Sequence, residues 1–222
     1  MKITLKTFPV LVISLSFSIL ASIDPLTAAE TTAFSVSYDQ NITANGVPVA
    51  HFKIIFHNSN IRAEFLGENS VPAGIMFRNG SGYYNYNPQT KVAARVPQNM
   101  QQPNLTDDLP AYDAYLKRNN AILAGTETLD GRETDIYTFK DPLGHGDVKT
   151  WVWKEKMFPV KIEVTGPEGV TTVQFSNIQF DPPVTETDFE LPADTKVMDF
   201  EAAIQETQTA LLSEESGKKG GK

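Results

Sequence analysis

Apolar side chains recur at every second position through most of this chain, in short runs closed by Asn, Asp, Gly or Pro. No other feature limits the fold as much, because a period of two is the spacing at which one face of a strand is apolar and the other wet. In Ala50 to Phe56, Phe52, Ile54 and Phe56 share a face while His51, Lys53 and His57 take the other, with Ile55 the exception. Asn58-Ser59-Asn60 turns the chain, since short polar side chains bond their own backbone. Ile61, Ala63 and Phe65 then alternate with Arg62 and Glu64. Asn79-Gly80-Ser81-Gly82 joins Gly74 to Arg78 with an aromatic strand holding Tyr83, Tyr84 and Tyr86, and Asn87-Pro88 leads into Lys91 to Val96.

Beyond Ala124 the pattern continues through Gly125 to Leu129, a turn at Asp130-Gly131, Glu133 to Phe139, Val148 to Lys154, Val160 to Thr165, a turn at Gly166-Pro167, and Thr171 to Phe180. About ten strands result. Tight turns with no long helix between them argue for an antiparallel meander, because parallel neighbours need crossovers of roughly a dozen residues. Two segments read as helix. Thr106, Asp107 and Asp108 resemble a capped start, after which Leu109, Tyr112 and Leu116 share a face and Asn119-Asn120 ends the run. The second starts near Asp199, with Phe200, Ala203, Ile204, Thr207 and Leu211 on a weak stripe.

At the amino terminus, Lys2 and Lys6, an uncharged run from Thr7 to Ile23, and Thr27, Ala28 and Ala29 before Glu30 form the three parts of a secretory signal. Residues 1–29 are therefore expected to be removed, because the run is broken by Pro9 and serines and falls short of the roughly 20 residues of a spanning helix. The 193 residues left of 222 suit one domain over 30–200, with 201–222 a helical extension and a disordered Gly and Lys tail. There is no cysteine, so neither a lipidated terminal Cys nor a disulfide is available. The expectation is a soluble periplasmic monomer. The net charge of −8 becomes −9 without the signal, whose two lysines outweigh Asp24. That sign disfavours nucleic acid and anionic lipid surfaces, so lipid contact is expected through an apolar pocket.

Catalytic patterns are not found. Gly80-Ser81-Gly82 lacks the five-residue elbow of an exposed serine nucleophile and reads as a turn. His51 and His57 share parity but lie roughly 20 Å apart on an extended strand, too far for one metal ion. His145 stands in a Gly-His-Gly loop, and Glu127 and Asp130 flank a turn where nothing raises a carboxyl pKa. No enzyme activity, cofactor or metal is expected.

Phe34-Ser-Val-Ser-Tyr38-Asp-Gln40, then Ile61-Arg62-Ala-Glu64-Phe65, is followed by Asn79-Gly80 through Tyr84-Asn85-Tyr86-Asn87-Pro88-Gln-Thr-Lys-Val92. Phe158-Pro159-Val160-Lys161, Thr171-Thr-Val-Gln-Phe175-Ser-Asn-Ile178, and Phe189-Glu-Leu191-Pro192 through Val197 close the series. In this order the motifs resemble the periplasmic lipoprotein-carrier superfamily, the LolA, LolB and RseB-like proteins, over most of the chain after residue 29.

The resemblance implies a mainly β fold, a strongly curved antiparallel sheet forming an unclosed barrel of about 10–11 strands with short lid helices. A concave face of this kind is too wide for its own side chains, which leaves a dry apolar cavity for acyl chains. The implied lining is Phe52, Ile54, Phe56, Tyr84, Tyr86, Trp151, Trp153, Val173 and Phe175, under a lid carrying Leu109, Tyr112 and Leu116. Arg62 stands where the family has an arginine linking cavity and lid. Its parity is opposite to that of Ile61, Ala63 and Phe65, so either the arginine points to solvent or the apolar trio packs outside the cavity. The implied function is a carrier that shields the acyl chains of lipoproteins or other lipids between an inner-membrane donor and an outer-membrane acceptor. A lipid-sensing regulatory module of the same fold is the alternative.

Overall fold

The structure, a computed structural model, describes residues 34–67, 70–97, 108–141, 144–200 and 202. The expected signal at 1–29 and all but residue 202 of the extension at 201–222 lie outside them. The first half of the chain supplies β1 (Ser35–Ala44), β2 (Val47–His57), β3 (Asn60–Leu66), β4 (Pro72–Asn79), β5 (Gly82–Asn87) and β6 (Val92–Arg95). A short helix, α1 (Tyr112–Arg118), precedes β7 (Ile122–Leu129), β8 (Arg132–Lys140), β9 (Asp147–Trp153), β10 (Phe158–Gly166), β11 (Gly169–Phe180) and β12 (Lys196–Asp199).

All twelve strands form one sheet in the order β12-β6-β5-β4-β3-β2-β1-β11-β10-β9-β8-β7. β1 lies in the interior of the sheet, with the hairpins of the first half walking outward on one side and β11 back to β7 on the other. Only β12 breaks the antiparallel rule, running parallel to β6 with Lys196 opposite Val92. At four residues it is too short for alternation to register in the sequence, which accounts for the count of twelve against the expected 10–11. Its direction follows from the connection at 181–195, which crosses the sheet instead of turning tightly. Among the described residues β7 and β12 are the two edges and do not pair, so the barrel stays unclosed, the architecture that the resemblance implied.

Tight turns and bulges give the sheet its shape. Asn45-Gly46 and Asp130-Gly131 both adopt positive φ, +51° and +78°, +49° and +75°, the conformation that matches the twist of two-residue hairpins. Register shifts interrupt β1 against β11 between Ser37 and Asp39, and β10 against β9 between Pro159 and Lys161. Each bulge bends its strand and adds twist.

The two faces are covered differently. The inner face carries α1 and the main core, which draws Val36, Tyr38 and Ile42 of β1, Phe52, Ile54 and Phe56 of β2, and Val173 and Phe175 of β11 into one cluster with residues of β3, β4, β8, β9 and β10. On the outer face of β3 to β6, Ile75, Phe77, Tyr84, Tyr86 and Ala93 pack with Leu191 of the crossing segment. That segment is tied down by a 3-10 turn, Glu186–Phe189, whose Thr185 and Asp188 form a reciprocal capping box. Hydrogen bonds from the Thr185 backbone N–H and hydroxyl hold the Asp188 carboxyl below the usual carboxylate range. Asn79 Nδ2 donates to Phe189 O at 2.7 Å, and Asn60 Nδ2 to Glu186 Oε2 at 2.8 Å.

Candidate binding site

The site is built where α1 meets the inner face. Pro110 lacks an N–H and restricts the residue before it, so the run expected as one helix from Asp107 opens as a 3-10 turn, Leu109–Ala111, and becomes α-helical only at Tyr112. Thr106 and Asp107, the expected cap, lie outside the described residues, and Asp108 makes an ion pair with Arg118 in place of a side-chain cap. At the other end Asn119 Nδ2 donates to Tyr115 O at 2.9 Å, and the Ala121 N–H to Leu116 O at 2.9 Å.

One stripe of this short element is wholly apolar. Leu109, Tyr112, Tyr115 and Leu116 are all buried in the same cluster as Phe52, Ile54, Phe56, Val173 and Phe175. Tyr112 stacks on Tyr115 with centroids 5.2 Å apart, and Tyr115 meets Phe139 edge-on at 5.8 Å. Beneath them Tyr38, Phe158 and Phe175 form a mutual ring triangle at 5.3 to 5.8 Å. The 3-10 turn and α1 together cover the inner face, Leu109 from the turn and Tyr112, Tyr115 and Leu116 from the helix.

The helix's polar atoms are unequally satisfied. Tyr112 Oη shares a 3.1 Å hydrogen bond with Thr150 Oγ1, whereas the Tyr115 hydroxyl, on a residue 1% exposed, has no partner among the described residues. Burial pushes both phenols well above their ordinary range, so both remain neutral. An unpaired buried hydroxyl costs about 1–3 kcal/mol. Tyr115→Phe is therefore expected to stabilise the protein by about 1 kcal/mol in urea unfolding; a loss of stability would mean that the hydroxyl is used.

Eight of the thirteen candidate residues thus come together: Phe52, Ile54, Phe56, Leu109, Tyr112, Leu116, Val173 and Phe175. The other five sit apart from them. Tyr84 and Tyr86 belong to the outer cluster beneath Leu191. Trp151 packs with Ile136 and Val160, donates its indole N–H to Glu127 Oε1 at 2.5 Å, and is flanked by Lys149 Nζ at 4.5 Å and Lys161 Nζ at 4.4 Å from its ring centre. Trp153, beside the β9/β10 bulge, packs against that cluster, lies 5.9 Å from Phe180 and carries the Arg132 guanidinium at 5.1 Å.

Arg62 follows its parity. Ile61 and Ala63 are in the inner cluster, while Arg62 bonds Glu64 Oε1 at 2.5 Å, reaches Asp188 O at 3.5 Å and lies 5.8 Å from the Phe77 ring, toward the crossing segment. Of the two alternatives for its parity, neither is met in full: the apolar pair faces inward, and the arginine meets the strap. Tyr38, Met76, Tyr115 and Phe158 join the inner cluster without having been singled out. Tyr115 carried a signal, standing three residues after Tyr112 on the same helical face.

Among the described residues no group of three or more His, Cys, Asp or Glu is placed to hold a metal ion, and no helix is long and apolar enough to cross a membrane. His145 is instead engaged with the buried Asp141 carboxylate, its Nδ1 at 2.5 Å.

No protein-family model matches the sequence, and no curated protein matches it. Among solved structures, an uncharacterised conserved protein from Thermus thermophilus superposes with a TM-score of 0.53 at 14% identity, covering 77% of this chain and 91% of that one. MucB in its complex with MucA from Pseudomonas aeruginosa gives 0.49 at 13% identity, covering 74% of this chain and 58% of that one. A LolA superfamily protein from Nitrosomonas europaea gives 0.34 at 12% identity, covering 73% and 91%. The likeness to the Thermus protein shows a shared fold.

Proposed function

We propose that the chain is a periplasmic carrier that takes acyl chains of a lipoprotein or another lipid onto the inner face when α1 swings away. The observation that carries this reading is the mismatch between cover and covered. Among the described residues, a cluster drawn from eight strands has, as the α-helical part of its cover, one seven-residue helix. Isolated helices of this length are marginal, so α1 owes its order to the face it sits on and gives that face up at moderate cost.

Displacing Leu109, Tyr112, Tyr115 and Leu116 by an acyl chain exchanges one dry contact for another. That exchange keeps net affinity modest, which a carrier needs: each methylene buried is worth about 0.8 kcal/mol, and a multi-chain lipid gripped over its whole length would not be released. The unpaired Tyr115 hydroxyl works the same way, holding the closed state short of its greatest stability. Donor and acceptor proteins at the two membranes would act by favouring the open position of α1. A sensory module that reads lipid and then grips one protein uses the same site, and crosslinking from Tyr112 separates the two by trapping either lipoproteins or one fixed partner.

The test is native mass spectrometry of the protein prepared from the periplasm without detergent, paired with titration of a fluorescent fatty acid. A co-purifying acyl species and saturable probe binding are expected. Protein that is uniformly empty and ignores the probe would reject both readings.

A further inference from the structure

Exposed aliphatic side chains gather at one end of the sheet. Val47 is 63% exposed, Val49 49% and Val170 37%, the first two at the start of β2 and the third at the start of β11. A row of paired residues that starts at Pro48 of β2 crosses β1, β11, β10, β9 and β8 and ends at Ile122 of β7. Val47 and Val49 flank its first member and Leu123 its last, and Ile122 and Leu123 are exposed as well.

The three valines are fixed in place. The Asn45 N–H donates to Val170 O at 2.7 Å, the Val170 N–H to Asn45 Oδ1 at 2.9 Å, and Asn45 Nδ2 to Glu168 O at 3.1 Å. One residue thus ties the β1–β2 turn to the β10–β11 turn. The tie requires glycine at 169, where a Cβ would stand 1.9 Å from Asn45 Oδ1. On the far side Gly146 lies against β10, and a Cβ there would fall 2.0 Å from Thr165 O. Val49 is skipped in the pairing of β2 with β1, since Ile42 faces Ala50 and Thr43 faces Pro48, and the bulge turns it out of the ladder. Side chains held this way are covered by a partner with little loss of conformational freedom.

Composition and charge say what covers them. The centres of protein interfaces are enriched in Tyr, Trp, Phe, Met and Arg, and residues 43–50 and 163–170 contain none of the five. The same residues contain Glu163 and Glu168 and no lysine. Glu163 is paired with Lys161 at 2.7 Å, while Glu168 is exposed beside the valines. A lipid surface needs no matched contour, and its interfacial zone takes up aliphatic groups in proportion to the area they bury. An anionic surface would repel both Glu168 and a chain of net charge −8.

We propose that this end docks the protein on a zwitterionic lipid surface, with Val47, Val49 and Val170 entering between the headgroups. This rests on the acyl-carrier reading and adds to it the kind of surface at which acyl chains are exchanged. Ile122 and Leu123, at the other end of the row, follow α1 directly, and the Ala121 N–H is bonded to Leu116 O at 2.9 Å. A surface that reaches them therefore acts on the segment joined to the cover of the inner face.

The experiment is flotation of the protein, prepared from the periplasm without detergent, with vesicles of dioleoylphosphatidylcholine. Wild type is compared with Val47→Ser/Val49→Ser/Val170→Ser. Wild type is expected to float and the variant to bind about tenfold more weakly, and exchanging half the lipid for dioleoylphosphatidylglycerol should weaken the wild type severalfold. Wild type that ignores the neutral vesicles, a variant that floats equally, or binding that strengthens with the anionic lipid overturns the proposal. A wild-type dimer that does not float, monomeric in the variant by sedimentation velocity, would give the valines to a second copy and overturn the lipid source. Should the triple variant fail to fold, Val47→Trp alone is expected to bind the neutral vesicles severalfold more tightly, because aromatic rings favour the interface, and unchanged binding overturns the proposal. A fluorescent fatty acid keeps the two readings apart. Valine-dependent flotation without probe binding removes the acyl site and leaves the docking end, whereas saturable probe binding without flotation does the reverse.

Discussion

Replacing Phe175 by alanine is expected to lower unfolding free energy by about 3–5 kcal/mol, a large part of the 5–15 kcal/mol typical of a domain. The ring is 1% exposed and closes the triangle with Tyr38 and Phe158, neither of which can collapse into the space, because both are fixed on neighbouring strands of a bonded ladder. The new void would be apolar and on the inner face, where a chain-like ligand is proposed to lie. Adding a long-chain acyl ligand should therefore restore part of the loss, by RT ln(1 + [L]/Kd) for a ligand that binds only the folded state. Urea titrations with and without ligand measure both quantities. A full loss with no recovery at saturating ligand would place the acyl chain elsewhere.

The second large effect concerns α1. Leu116→Asp puts a carboxylate into a position 4% exposed beneath the helix, where an unpaired charge cannot remain. If α1 is a detachable cover, the helix leaves the face while the sheet survives. The signature would be fast amide exchange confined to residues 108–121, increased binding of an apolar dye, and strand amides still protected. If α1 is instead part of an indivisible core, the same change melts β8 and β9 together with the helix. Hydrogen exchange followed by mass spectrometry separates these outcomes, and the second removes the physical basis of an opening site.

What the sequence discloses about this fold is the part written in local periods. Phe52, Ile54 and Phe56 announce their face within one strand, and the Asn-Gly and Asp-Gly pairs announce turns, so strands and inner-face members are readable at sight. Long-range pairing is not written that way. β12 contributes four residues and joins β6 by a crossing segment, and nothing local in Lys196–Asp199 names that neighbour.

Parity fails at bulges and across faces that are both covered. Tyr84 and Tyr86 alternate as correctly as Phe52 and Phe56, but the segment with Leu191 gives their strand a second dry face, so alternation alone could not tell inner from outer. Trp153 stands beside a bulge that resets the count.

The unpaired edges at β7 and β12 have a mechanical consequence. In a closed barrel the number of strands and their stagger set the diameter, and widening it means breaking a seam of hydrogen bonds. Among the described residues this sheet has no such seam, so its calibre can change by twist, spread thinly over every ladder between the two rims. On the carrier reading proposed above, ligands of unequal girth would be admitted by flexing the wall, at a cost shared among all its strands.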